Sequence, residues 1–360
     1  MLTVLTVAYP FAPVRNDAVG GAEQIASMLD AAIVTAGHRS IVAACEGSCT
    51  LGELFAGCTL RMTLLEETAS RRFRIQFQEA LDRALATRKI DVIHMHGFDF
   101  HQYSLPENIP IIVTLHLPLD WYPDKIWNRN IEQIHFCCVS DSQHKMAPKH
   151  SGPITVIPNG VTIPFIDEVE FTFEPDDVAV AMGRICPEKN LHEALQAATL
   201  ARTPLLLAGR VYPYPEHIDY FERKIKPGLD VCAGPRHQFL GPLSAAGRFR
   251  LLSRAKCLLN PTLAPETSSL VTMEALAAGC PVIAYRSGAL TEIVEPGVTG
   301  FLVDSVDEMA AAIHNVGVIS RNACRSKAVR SFGKDRMIHS YLKLYDFVVQ
   351  HAQHSHTLAL

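Results

Sequence analysis

Short apolar runs alternate with longer amphipathic stretches along nearly the whole chain. Consecutive apolar residues are typical of strands buried on both faces, and a helical period between them indicates helices that cover a parallel sheet. Residues 303–315 and 334–350 predict two further helices, and residues 351–360 predict a frayed tail. The predicted strands are 2–10, 40–45, 91–96, 109–116, 133–140, 154–160, 177–184, 204–210, 237–243, 256–262 and 280–286.

The predicted strands are too many for one usual doubly wound sheet, and their pattern starts again after the turn IPNG at 157–160. The predicted fold class is therefore α/β, with two Rossmann-like doubly wound parallel-sheet domains. We expect the junction within 155–175, where the acidic, proline-containing stretch 167–177 fits a connector.

Composition narrows the class of protein. The chain has 360 residues, 48% hydrophobic and 19% charged, with a formal net charge of -4. This mild acidic balance without a Lys/Arg block argues against nucleic acid as a partner. No apolar run approaches the roughly 20 residues that span a bilayer, and the N-terminus lacks a basic leader with a cleavage site. The 10 cysteines show no CxxC pair or zinc-ligand spacing, so we expect a reduced, cytoplasmic protein.

The candidate ligand-binding residues lie in the segments that follow the predicted strands, because ligands of open parallel sheets bind beyond the carboxyl ends of the strands. Gly20 and Gly21 follow the first strand at the start of a helix, where backbone amides can approach a phosphate or a sugar closely. A tight turn explains the glycine pair equally well. Arg184 and Lys189 follow the first strand of the second half and can direct two cations at one anion, although solvated surface residues also fit this pattern.

Residues 264–284 contain two glutamates with seven residues between them. Glu266 lies in a loop before a predicted helix, and Glu274 lies about two turns into that helix. Ser268 or Ser269 can cap the helix, whose first free amides then form an anion site. The alternative is an ordinary amphipathic helix with one exposed glutamate and a second in the preceding loop.

These features together predict a nucleotide-sugar site. Two cations and a helix N-terminus suit a diphosphate, and carboxylates suit the hydroxyl groups of ribose and sugar. Such groups stabilise a leaving diphosphate electrostatically, and no Asp-x-Asp motif for Mg²⁺ is present. We therefore expect neither a metal nor another cofactor.

The ordered motifs resemble glycosyltransferase family 4, whose members are retaining enzymes of the GT-B fold. These motifs are VGGAE, DVIHMH, VTLH, CVSDSQ, VIPNGV, GRICPEKN, FLGPL, PETSSLVTMEALAAGCPVIA and GALTEIVEPGVTGFLVD. The resemblance implies two domains that face each other across a cleft: an N-terminal acceptor-side domain of residues 1–160 plus 337–354, and a nucleotide-sugar-binding domain of residues 161–336. It also implies a last helix that crosses back onto the first domain.

The same resemblance implies the roles of the donor-site residues. Glu274 binds the nucleotide ribose, Glu266 contacts the donor sugar, and Arg184 and Lys189 hold the diphosphate. Retention without a positioned nucleophile implies front-side displacement, in which the acceptor attacks on the face that the diphosphate leaves.

Three further assignments follow from the resemblance. Gly21 offers its amide near the reacting centre, next to Gly20, and His116 faces the sugar. Many relatives have a glycine-rich turn after the first glutamate, whereas this chain has TSSL at 267–270. The amides of Ser269, Leu270 and Val271 can still line the phosphate.

The TSSL sequence and the segment HLPLDWYP at 116–123 resemble a branch that includes cyanobacterial tetrahydrobiopterin glucosyltransferases. This similarity implies UDP-glucose as donor and a reduced pterin as a small-molecule acceptor. Trp121 and Tyr122 are candidates for stacking on an acceptor ring, and plain packing of their loop is the alternative.

Several alternatives stay open. The first is transfer from a GDP- or UDP-sugar to a polysaccharide or lipid-linked glycan, for which the basic helix 70–89 could touch an anionic membrane, although a solvated helix face is favoured. Two others are a catalytically silent nucleotide-sugar-binding protein and a sugar-nucleotide epimerase. His94 and His96 share a strand face, but without a third ligand at a recognisable spacing we expect no metal there.

Overall fold

The computed structural model describes residues 1–57, 67–127, 134–149, 154–164, 175–229 and 235–358. The chain divides into two compact units, Met1–Asn159 with Asp335–Leu360, and Gly160–Lys334. Both junctions lie within two residues of the boundaries expected from the sequence. Residues 167–174 of the connector expected at 167–177 lie outside the described residues.

In the part of the chain that the structure describes, thirteen strands form two parallel sheets. The strands are β1 Thr3–Val7, β2 Arg39–Ala44, β3 Glu53–Ala56, β4 Val92–Met95, β5 Ile111–Leu115, β6 Ile134–Cys138, β7 Ile154–Val156, β8 Ala179–Arg184, β9 Leu205–Arg210, β10 Gln238–Gly241, β11 Cys257–Asn260, β12 Val282–Tyr285 and β13 Gly300–Val303. The first sheet has the order β3-β2-β1-β4-β5-β6-β7, and the second has the order β10-β9-β8-β11-β12-β13. Both contain the 3-2-1-4-5-6 order of a Rossmann-type sheet.

In the described residues, α-helices follow β1, β3 and β6 of the first sheet and every strand of the second sheet. Among those described, none is long and apolar enough to span a bilayer. The helices are α1 Gly21–Thr35, α2 Glu67–Thr87, α3 Asp141–Lys145, α4 Leu191–Leu200, α5 Pro215–Tyr220, α6 Lys226–Leu229, α7 Ala245–Arg254, α8 Leu270–Ala277, α9 Leu290–Ile293, α10 Val306–Asn315, α11 Arg321–Ser331 and α12 Lys334–Leu358.

Every strand expected from the sequence is present, and two others are not among the predictions. β3 and β13 each have four residues and lie at sheet edges, with partly exposed side chains. The helix expected over 303–315 begins at Val306, because Val303 ends β13 and Ser305 caps the helix. The frayed tail expected over 351–360 was wrong as far as residue 358, since α12 continues to Leu358.

The basic helix predicted over 70–89 corresponds to α2, and one of its faces is built into the N-terminal core. Phe77 is fully buried and packs in a cluster with Leu5, Met95 and Phe136. The aromatic positions of α2 therefore have a packing role, which accounts for them without a membrane surface.

The last helix belongs to the N-terminal unit and supplies polar partners to its sheet. Tyr341 and Tyr345 of α12 are fully buried. The Tyr345 hydroxyl lies 2.8 Å from Nδ1 of His94 in β4, and the Tyr341 hydroxyl lies 3.0 Å from Oγ1 of Thr114 in β5. Buried polar atoms destabilise a fold unless they are hydrogen-bonded. The two tyrosines of α12 therefore provide hydrogen-bond partners that His94 and Thr114 need.

We expect Tyr345→Phe to lower the free energy of unfolding by about 1–3 kcal/mol, because it leaves the buried Nδ1 of His94 without its partner. Urea denaturation of the full chain at neutral pH measures the change. A value unchanged from wild type would show that this hydrogen bond contributes nothing to the unit.

Candidate active site

The candidate donor site lies where the strand order of the second sheet reverses. β8 lies between β9 and β11, so the connections that leave β8 and β11 run to opposite sides of the sheet. Ligands of doubly wound folds bind at such a switch point, beyond the carboxyl ends of the two strands. Arg184 ends β8, Lys189 lies in the loop that follows it, and Glu266 lies in the loop after β11.

The two loops are joined by an ion pair and a backbone hydrogen bond. Nζ of Lys189 lies 2.6 Å from Oε2 of Glu266, with both side chains largely buried. The Leu263 amide donates to the Glu188 carbonyl at 3.1 Å. Arg184, the last residue of β8, makes no ion pair with a residue that the structure describes. The loops therefore hold one cation already paired with a carboxylate and one that is available for an anion.

The N-terminus of α8 presents backbone amides. Ser269 is the N-cap residue, but its hydroxyl bonds to Asn260 and Thr272 instead of capping the helix. The first helical bond runs from the Met273 amide to the Ser269 carbonyl. The amides of Leu270 and its two successors therefore have no acceptor within the helix. The residues predicted to line a phosphate lie at this helix start.

Glu274 has a partner that the sequence analysis missed. Arg248 of α7 forms two hydrogen bonds to its carboxylate, with Nη2–Oε1 at 2.9 Å and Nε–Oε2 at 3.1 Å. Paired contacts of this kind fix the carboxylate plane as well as its position. The two residues are 26 positions apart on different helices, and no local motif links them.

The loop that contains Glu266 rests on the segment that begins the GALTEIV motif. The Ala289 amide donates to the Glu266 carbonyl at 2.7 Å, and the Ser287 hydroxyl donates to the Ala264 carbonyl at 2.6 Å. Gly288 has φ of 49°, and a Cβ atom there would lie 2.2 Å from the Glu266 carbonyl oxygen. A glycine is therefore required for this close approach.

Three histidines lie together in the N-terminal unit. His96 Nδ1 is 3.0 Å from His116 Nε2, and both ring nitrogens of His94 are hydrogen-bonded, to Tyr345 and Thr114. Burial lowers the pKa of His116 to about 4 and, with the nearby His116, lowers the pKa of His94 to about 3. All three rings are thus neutral near pH 7, since burial also holds the pKa of His96 well below its usual value. His94 has no free nitrogen for a metal.

The other predicted residues of this unit differ in exposure. Gly20 is the N-cap of α1, and Gly21 is its first residue. Trp121 is 43% exposed, whereas Tyr122 is 4% exposed and packs in the core. The Tyr122 hydroxyl accepts a 3.4 Å hydrogen bond from the Leu117 amide. Tyr122 therefore packs in its loop and offers little surface to a ligand, which leaves Trp121 as the accessible ring.

Two family models match successive parts of the chain. The model described as Glycosyltransferase Family 4 matches residues 19–163, and the model described as Glycosyl transferases group 1 matches residues 176–316. The chain is a glycosyltransferase, similar to family 4. The two matches include every described strand except β1 and every residue placed above in the donor site.

Curated relatives of this glycosyltransferase share parts of the sequence. The D-inositol 3-phosphate glycosyltransferase of a Nocardioides strain is 32% identical over 170 residues, which span 42% of this chain and 36% of that relative. The phosphatidyl-myo-inositol mannosyltransferase of Mycobacterium leprae is 27% identical over 308 residues, which span 76% of this chain and 79% of that protein.

Solved structures show the same fold over nearly the whole glycosyltransferase. Sucrose-phosphate synthase from Thermosynechococcus elongatus has a TM-score of 0.76 at 19% identity, covering 97% of this chain and 99% of its own. HepE from Anabaena, solved in complex with UDP-glucose, has a TM-score of 0.71 at 17% identity, covering 96% and 100%. The GT-B class predicted from the sequence is thereby confirmed.

We expect Gly288→Ala to impair donor binding while leaving the protein folded. The added Cβ would overlap the Glu266 carbonyl oxygen and force an alanine into a left-handed conformation, so the loop must move. Calorimetric titration with a nucleotide sugar should show an affinity about tenfold lower or worse. Gly297→Ala is the matched control: it also carries a positive φ, of 76°, but its Cβ would meet nothing. Equal losses in both variants would mean that backbone strain, and not the displaced loop, is responsible.

We also expect stability to fall in acid because of the buried histidines. The unfolded chain protonates His94 near pH 6.5, whereas the folded chain resists until about pH 3. The stability that the neutral His94 contributes is therefore complete above pH 6.5. Below that pH the free energy of unfolding decreases by about 1.4 kcal/mol per pH unit for one histidine. His94→Gln should reduce the slope of unfolding free energy between pH 6.5 and 5 by that amount. An identical slope in the variant would contradict a neutral His94.

Proposed function

We propose that this protein transfers glucose from UDP-glucose to a hydroxyl group of a small-molecule acceptor, with retention of the anomeric configuration and without a metal. The observation that carries the donor assignment is the pair of carboxylate–cation contacts, Lys189 with Glu266 and Arg248 with Glu274, at the switch point of the second sheet. This arrangement places positive charge beside carboxylates that can accept hydrogen bonds from hydroxyl groups.

The proposed donor contacts follow from this geometry. Arg184, Lys189 and the first amides of α8 bind the diphosphate, where two cations and a helix N-terminus offset its charge. Glu274, oriented by Arg248, accepts hydrogen bonds from the ribose hydroxyls. Glu266 accepts hydrogen bonds from the sugar and keeps Lys189 aimed at the same place.

The proposed transfer needs few protein groups. The bond from the acceptor oxygen to the anomeric carbon forms as the bond from that carbon to the phosphate oxygen breaks on the same face. The acceptor proton passes to the departing phosphate, so no separate base is required. The cations and the α8 amides stabilise the charge that develops on the leaving diphosphate, which is the electrostatic role a metal would otherwise have. Gly21 and His116 keep the roles that the family resemblance implies.

The identity of the acceptor is the most specific part of the proposal. Similarity to the branch with TSSL at 267–270 supports UDP-glucose and a reduced pterin, tetrahydrobiopterin, and the exposed ring of Trp121 could stack on such an acceptor. A second candidate is an inositol or lipid-linked acceptor, which the names of both relatives favour.

We expect UDP-glucose to raise the melting temperature of the full chain more than GDP- or ADP-sugars do. Glu274→Gln and Arg248→Met should each weaken UDP-glucose binding about 10- to 100-fold, the usual effect of losing hydrogen bonds to a charged group. Arg286→Met is the matched control, since it removes an exposed arginine–carboxylate pair with Asp304 outside this site. If Glu274→Gln binds normally, the ribose assignment is wrong.

Turnover then separates the acceptor classes. The protein is incubated with UDP-glucose and, in separate reactions, with tetrahydrobiopterin, an inositol phosphate or a phosphatidylinositol vesicle. We expect UDP and a glucosylated product only in the reaction with tetrahydrobiopterin. Product from only the inositol or lipid arm would keep the transferase proposal and replace the acceptor. Donor binding without product in any arm would favour a catalytically silent nucleotide-sugar-binding protein.

A further inference from the structure

Three side chains that can bind a metal lie close together where the loop that follows β8 meets helix α5. Cys186 and Glu188 belong to this loop, and His217 belongs to α5. One potential ligand atom from each lies within 4.8 Å of the other two. They do not belong to the proposed nucleotide-sugar contacts, although Arg184 and Lys189 flank them in the chain.

Two of these side chains carry buried polar atoms that the protein does not satisfy. His217 is 8% exposed, and its Nδ1 makes no hydrogen bond with a described residue. Oε2 of Glu188 is likewise buried and makes no hydrogen bond with the described chain, although the carboxylate lies close enough to the Cys186 thiol to interact with it. Leaving such atoms unpaired costs on the order of 1–3 kcal/mol each, so their convergence on one point calls for a ligand there.

The third side chain identifies the class of ligand. Cys186 is fully buried, and its thiol donates a weak hydrogen bond to the Arg184 carbonyl at 3.7 Å. A sulfur, an imidazole nitrogen and a carboxylate oxygen form a mixed donor set that suits Zn²⁺ better than Mg²⁺ or Ca²⁺, which prefer oxygen ligands alone.

We propose that Cys186, Glu188 and His217 bind a Zn²⁺ ion. Ligand atoms at about 2.0–2.3 Å from a tetrahedral ion are roughly 3.3–3.8 Å from one another, and the three atoms here all lie within 4.8 Å of one another. Binding displaces the thiol proton of Cys186 to solvent, and the thiolate then bonds to the metal. Three protein ligands leave the fourth position for water.

The charges around the site are compatible with this ion. Thiolate and carboxylate together offset the charge of Zn²⁺, so the bound site is neutral next to the nearby cation of Arg184. Glu216, one residue before His217, adds a further negative charge close to the imidazole. The ion would tie α5 to the loop that bears Arg184 and Lys189.

The test uses the full chain, freed of metal by a chelator under a phosphine reductant and titrated with Co²⁺ as a spectroscopic substitute. We expect a thiolate-to-cobalt charge-transfer band that saturates at one equivalent. Cys186→Ser should abolish the band, and His217→Gln should weaken Co²⁺ binding at least tenfold. Cys49→Ser, which removes an exposed thiol, and His314→Gln, which removes an exposed imidazole, should leave it unchanged.

The melting temperature of each variant shows whether a lost band reflects a lost ligand or an unfolded protein. In chelator, Cys186→Ser and His217→Gln should melt close to the wild type, and added Zn²⁺ should raise the melting temperature of the wild type alone. Absence of the band at excess Co²⁺, or its survival in Cys186→Ser, would overturn the proposal. Neither measurement uses a nucleotide sugar, so its failure is independent of failure of the proposed transfer.

Discussion

The contact between Lys189 and Glu266 is the interaction on which the candidate site depends. A largely buried ion pair adds little net stability, because desolvation of both groups offsets their attraction, but removal of one partner leaves an uncompensated charge. Its importance is therefore positional. The two residues follow β8 and β11, whose pairing in the sheet fixes the separation of the loops. The Leu263–Glu188 hydrogen bond and the support of Gly288 hold the same two loops in place.

Much of the fold could be predicted from the sequence because buried parallel strands leave a continuous apolar pattern. The central strands β1, β4, β8 and β11 have this pattern, and their order follows from the general rules of doubly wound sheets. The strands β3 and β13 were not predicted; each has four residues at a sheet edge, with side chains that are partly exposed. The length of α12 escaped prediction because its polar end lacks a clear apolar period.

The site was predictable only where function is encoded locally. Glu266 and Glu274 stand at a recognisable spacing, and Arg184 and Lys189 lie in one short loop. Partners brought in by tertiary folding leave no such trace. Arg248 contacts Glu274 from another helix, and His217 lies near Cys186 although the two are 31 positions apart in the chain. No sequence motif indicates either contact. Local spacing therefore identified the groups proposed to touch the ligand but not the groups that orient or tether them.

The two tyrosines of α12 have a consequence for biosynthesis. Their hydroxyls form hydrogen bonds with the buried side chains of His94 and Thr114. These two residues belong to a sheet whose strands all come from the first half of the chain. A ribosome releases those strands long before it releases Tyr341 and Tyr345. The second unit, which is continuous from Gly160 to Lys334, is made in between. His94 and Thr114 therefore lack these two partners until the whole second unit has been synthesised, so the N-terminal unit cannot complete its hydrogen bonds before the chain is nearly finished.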